Sequence, residues 1–178
     1  MFTDIRSQKV VFIAHCLLNQ NSISDGTAVY PAAFKDMIQM FLDADVGIIQ
    51  MPCPELCCLG LDRGNIRGAD SPVVVENTRI RREMQKTDTY EKLTYLVDYV
   101  MRQLMEYQKY GFQILGIIGA NRSPNCGIET TSECNQETEG MGLFMEALSR
   151  RLAAENLSIP MLGIKGSDNV AEKVKLLL

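Results

Sequence analysis

Four stretches of the chain are almost continuously apolar and rich in β-branched residues: Val10 to Ala14, Val46 to Met51, Phe112 to Ala120 and Pro160 to Ile164. Continuous rather than alternating apolar runs mark strands that are covered on both faces. Between them the apolar positions repeat at helical spacing. Phe34, Met37, Ile38, Phe41 and Leu42 lie within "YPAAFKDMIQMFLDAD", which carries Pro31 near its expected first turn. A second helix is expected in "TDTYEKLTYLVDYVMRQLMEYQKYG", with Thr87 or Asp88 as its cap and Gly111 as its stop. Further helices are expected from Glu139 to Asn156 and from Asp168 to Leu178, the last capped by Ser167 or Asp168.

Alternation of strand and helix along the whole chain predicts an α/β fold: a doubly wound, mainly parallel sheet with helices on both faces, Rossmann-like, in a single domain. Its crossover connections should be right-handed. One region interrupts the rhythm. Pro52 to Lys86 is rich in Gly, Arg and turn residues, and "PVVVE" (Pro72 to Glu76) is its only strand-like piece. It reads as a loop-rich insertion, and loops of that length in a compact domain usually serve function.

Composition narrows the partners. The 178 residues are 46% hydrophobic, enough for one domain with a substantial core. Net charge is -4, and the longest basic block is "RIRR" (Arg79 to Arg82), so a nucleic-acid polymer is not an expected partner. No apolar run approaches the ~20 residues that span a bilayer. The opening stretch "MFTDIRSQKVVFIAH" reads as neither signal nor transit peptide, which makes the expected setting cytoplasmic.

A reducing compartment changes the meaning of Cys16, Cys53, Cys57, Cys58, Cys126 and Cys134: they become metal ligands, reactive thiols or small buried hydrophobes rather than disulfides. Three of them share a feature. Strand one ends "FIAHC" with Cys16, strand two ends "IIQMPCPE" with Cys53, and the Phe112 strand leads into "NRSPNCG" with Cys126. In open parallel sheets, ligands bind at the carboxyl ends of the strands, so these thiols should meet at one sheet edge. Structural zinc favours four ligands and short Cys-x-x-Cys pairs, and there is none here. The single histidine, His15, would point away from Cys16 if the strand alternation continued. The radical-SAM spacing fails because Gly60 stands where its third cysteine would be. An iron–sulfur cluster accepts widely separated single cysteines and, with three, keeps one iron open. A thiol-nucleophile enzyme using Cys126, with His15 as the candidate base, is a further reading. So is simple burial of the thiols.

"CLLNQNSISDG" (Cys16 to Gly26), "CPE" (Cys53 to Glu55), "SPNCG" (Ser123 to Gly127) and the "EGMGLFMEAL" helix resemble the DUF523 family, which includes the thiouracil desulfurases. The resemblance implies a [4Fe-4S] cluster held by Cys16, Cys53 and Cys126, with the open iron taking the sulfur of a small thiolated substrate such as a thiouracil-like nucleobase. It implies catalytic roles for Glu55, as a carboxylate that activates water or shuttles a proton, and for Ser123, as a hydroxyl donor. Asp25, Ser22 and Asn125 are the expected substrate-facing polar residues, Asp25 having turn formation as its other reading. The chain departs from the family pattern at Asn19, Ser22 and Asn125, and in "LCCLGLDRG", which adds Cys57 and Cys58 as a possible fourth ligand or sulfur acceptor. A non-catalytic sensor or sulfur-carrier module that binds a metal or cluster is the alternative from another class.

Overall fold

The computed structural model describes residues 2–178. β1 (Lys9–Ala14) runs into a single helical turn, α1 (His15–Leu18), and α2 (Lys35–Asp43) returns the chain to β2 (Gly47–Met51). Three helices follow: α3 (Pro54–Leu59), α4 (Val73–Met84) and the long α5 (Thr87–Lys109). β3 (Gln113–Ala120) precedes a hairpin, β4 (Thr130–Glu133) and β5 (Gln136–Glu139), and the chain closes with α6 (Leu143–Ala154), β6 (Met161–Ile164) and α7 (Val170–Val174).

β1, β2, β3 and β6 form one parallel sheet in the order β2-β1-β3-β6. The four expected strands are present, and the architecture is a single α/β domain of Rossmann-like type. α2 packs with α7 and α5 with α6, so helices cover the sheet as two pairs. The apolar runs explain the burial: Val11, Phe12, Ile13, Ile117 and Ile118 are sealed from solvent in the two central strands. β1 and β3 are neighbours whose onward connections leave in opposite directions, to β2 and to β6. That is the switch point at which such sheets open a crevice.

Several local expectations are corrected. "PVVVE" is not a strand; Val73 opens α4, with Pro72 at its cap. Ile80 and Met84, four apart, are buried in the core, and this packing overrides the β preference of three valines. The span from Glu139 to Asn156 is not one helix, because its start lies in the polar hairpin and α6 begins only after Gly142. α2 starts at Lys35, four residues beyond Pro31. The cap of α7 is Asn169, whose side chain accepts from the Glu172 N–H. Asp168 instead accepts from the Lys165 N–H and pairs with Lys173. α5 begins at Thr87 without a side-chain cap and stops where Gly111 takes φ +76. Among the described residues, no helix is long and apolar enough to cross a membrane.

Candidate active site at the switch point

Cys16, Cys53 and Cys126 line one cavity of about 90 Å³ beside the carboxyl ends of β1, β2 and β3. A single water needs roughly 10–15 Å³ on that scale, so the cavity is larger than a one-water packing defect. Cys53 and Cys126 are buried and Cys16 half-buried. Each is set by a local turn. The chain enters α1 at His15, so His15 and Cys16 lie about 100° apart on one helical turn rather than on opposite faces of a strand. Cys53 caps α3, its sulfur accepting from the Leu56 N–H at 3.4 Å, with Pro54 at the first helical position. Cys126 sits in a turn organised by Ser123, whose Oγ accepts from the N–H groups of Asn125 (3.2 Å) and Cys126 (2.9 Å).

Electrostatics ties the three together. Burial, followed by the charges of Cys16 and Cys53, pushes the Cys126 thiol well above its ordinary range. Burial and the neighbouring Glu55 raise Cys53 to about 12. Burial and then Cys53 raise Cys16. Unliganded, all three are protonated at neutral pH. A cationic centre among them would reverse that preference, as metal sites do for buried thiols.

Glu55 is the polar focus of the cavity. It is 7% exposed and receives four hydrogen bonds. Ser123 Oγ (3.4 Å) and Asn125 Nδ2 (3.1 Å) donate to Oε1, while Ser24 Oγ (3.3 Å) and Arg63 Nε (3.2 Å) donate to Oε2. Asn125 is fully buried, and its Oδ1 has no partner. The Arg63 ion pair is itself interior, with side chains 3% and 9% exposed. Removing one member of such a pair typically costs about 3–5 kcal/mol, because it strands the other charge.

The "SPNCG" turn is held from outside by the insertion and the hairpin. Arg122 O accepts from Ser132 Oγ (2.6 Å) and Asn77 Nδ2 (3.2 Å). Ser123 O accepts from Thr131 Oγ1, and Pro124 O from Arg81 Nη1. Three successive carbonyls are thus fixed by α4 and β4, and this positions Ser123 and Cys126.

The family model described as 2-thiouracil desulfurase matches residues 11–156, a span that takes in every residue of this cavity up to the end of α6. The chain belongs to that family. An uncharacterized protein of Methanocaldococcus jannaschii, MJ0003, is 26% identical over 155 residues, covering 87% of this chain and 85% of its own. No solved structure gives a significant match.

Within this family member, the expected site residues separate into two groups. Cys16, Cys53, Cys126, Glu55 and Ser123 line the cavity, and Asn125 lies directly behind it on Glu55. Ser22 and Asp25 do not line it. The Ser22 hydroxyl donates to Asn19 O, and only its backbone carbonyl reaches the network, accepting from Arg63. Asp25 is exposed and accepts from the Gly26 N–H in its own turn. Cys57 and Cys134 are exposed, and Cys58 lies 3.8 Å from the Thr89 carbonyl at the start of α5. Four residues not foreseen from the sequence complete the site: Ser24, Arg63, Gln20 and Asn77. Gln20, buried, donates to Cys16 O (2.7 Å) and accepts from the Val29 N–H (2.9 Å), tying the following loop to the Cys16 turn.

Proposed function

We propose that this family member is a [4Fe-4S]-dependent desulfidase acting on a small thiolated compound, a thiouracil-like nucleobase or a related thiocarbonyl. The observation that carries the reading is the convergence of Cys16, Cys53 and Cys126 on the cavity that also holds Glu55 and Ser123. The donor set fits a cluster better than a single ion. Among the described residues, no three His, Cys, Asp or Glu side chains approach closely enough to share one metal ion. A cube of iron and sulfide presents its ligand positions at separate corners and accepts thiolates spaced further apart. Cys16, Cys53 and Cys126 would hold it. When bound, the cluster would supply a Lewis-acidic iron for the substrate's sulfur.

The chain's own groups account for the rest. Glu55 is the proton acceptor: its carboxylate, held on both oxygens, draws a proton from the water that supplies oxygen to the product. Ser123 Oγ already accepts two backbone N–H groups, so its own hydrogen is directed to Glu55 Oε1. The hydroxyl can therefore pass a proton between a bound substrate and Glu55. Leu17, Phe34 and Ile164, all buried, contribute to the apolar part of the lining and keep bulk water from that exchange.

The test is oxygen-free incubation of the reconstituted protein with a thiolated pyrimidine. The expected products are the oxo-pyrimidine and one equivalent of sulfide; binding of iron with no sulfide release would favour the non-catalytic sensor. The C57S and C58S variants should retain iron content and turnover within about twofold, because neither thiol lines the cavity. Loss of either property in those variants would restore them as ligands or sulfur acceptors.

A further inference from the structure

We propose that Arg63 is a positioning residue of this site, holding Glu55 in its working orientation and withdrawing electron density from the Cys53 sulfur. The inference rests on the desulfidase reading and assigns a role to a residue of the cavity lining that acts through Glu55 and Cys53. Arg63 is 3% exposed, and all five of its N–H donors are engaged. Nε donates to Glu55 Oε2 (3.2 Å), and Nη1 to the carbonyls of Gly60 (3.2 Å) and Leu61 (2.8 Å). Nη2 donates to Ser22 O (2.5 Å) and meets Cys53 Sγ at 3.8 Å. One planar guanidinium therefore joins the loop after β1, the cap of α3 and the catalytic carboxylate. Lysine, a point charge on a flexible stem, does not reproduce that fork.

The backbone is built around this contact. Arg63 takes φ +56, a left-handed conformation that non-glycine residues adopt at a cost. Gly64 follows at φ +68. The tight turn brings the guanidinium inward where a solvated arginine would be the default. The same guanidinium lies against both the Cys53 sulfur and the Glu55 carboxylate. Three thiolates beside a carboxylate concentrate negative charge, and Arg63 offsets it from within. A hydrogen bond to a ligating sulfur raises a cluster's reduction potential, and an outer partner of this kind typically alters activity or affinity by about 10–100-fold.

The test uses reconstituted protein and three variants: Arg63→Lys, Glu55→Gln, and Glu55→Gln combined with Arg63→Met. Arg63→Lys is expected to bind wild-type iron yet lose about 10–100-fold in kcat with KM changed less than threefold. The paired variant, which leaves no stranded charge, is expected to show a lower midpoint potential in an EPR-monitored redox titration than Glu55→Gln alone. A purely structural role would move iron content or Tm and leave both readouts unchanged. Wild-type kcat in Arg63→Lys, or equal potentials in the two Glu55 backgrounds, would overturn the assignment. If the paired variant does not fold, the kcat of Arg63→Lys decides alone. A wild-type protein that assembles no cluster would instead refute the desulfidase reading, so the two failures are distinguishable.

Discussion

Replacing Glu55 with Gln should lower kcat by about 10²–10⁴-fold while leaving iron content and the visible spectrum of the reconstituted protein unchanged. The substitution keeps the shape of the side chain and removes only its ability to take a proton. An amide in that place can still accept from Ser123 and Asn125 on its oxygen. Its nitrogen would meet Ser24, which can accept, and Arg63 Nε, which cannot. The structural penalty is two donors facing each other and an Arg63 charge left without its carboxylate, which costs about 3–5 kcal/mol of stability. Cluster assembly should be eased rather than hindered, since the Glu55 charge is among the causes that raise all three cavity thiols. Removing it brings their pKa values down and lets thiolates form at lower pH. Steady-state turnover beside an iron assay checks both halves. A Gln variant that retains wild-type kcat would remove Glu55 from the chemistry.

Gly127→Ala should damage both stability and iron loading. A Cβ at this position would overlap the Thr130 carbonyl oxygen and approach Ser123 O to 2.9 Å. Both obstacles are backbone atoms and cannot swing aside as a side chain does. Gly127 is not among the positive-φ glycines, so its requirement is for space rather than for an unusual conformation. Relief would have to come from moving the turn that carries Ser123 and Cys126. Overpacking of this kind costs about 3 kcal/mol, which for a domain of this size lowers Tm by roughly 6–12 °C. Thermal unfolding of the metal-free protein and iron content after reconstitution measure the two effects. A variant that melts with the wild type and loads fully would show that the turn tolerates displacement.

What the sequence discloses here follows from which signals are local. The four strands were legible because both-face burial writes itself as unbroken β-branched runs, and the strand ends then placed Cys16, Cys53 and Cys126 at one edge. The hairpin was not legible. Thr130 to Glu133 and Gln136 to Glu139 are polar, and their pairing is supported by contacts to α4 and the "SPNCG" turn rather than by their own pattern. "PVVVE" misled because its β-branched residues are local, whereas the burial of Ile80 and Met84 that makes it helical is tertiary. Arg63 was hidden for the same reason. An arginine between Asp62 and Gly64 carries every mark of a solvated turn, and only the inward fold of that turn reveals five satisfied donors. Asp25 followed its other reading: the Asp-Gly pair makes a turn on the surface.

Oxygen-free reconstitution with iron and sulfide, read by iron content and visible spectrum for the wild type and the C16A, C53A and C126A variants, tests the proposed site most directly. The wild type is expected to bind about four irons with a broad sulfide-to-iron absorption, and each single variant to lose it. A wild-type protein that binds no iron, or a cluster that survives all three substitutions, would contradict the three-thiol site.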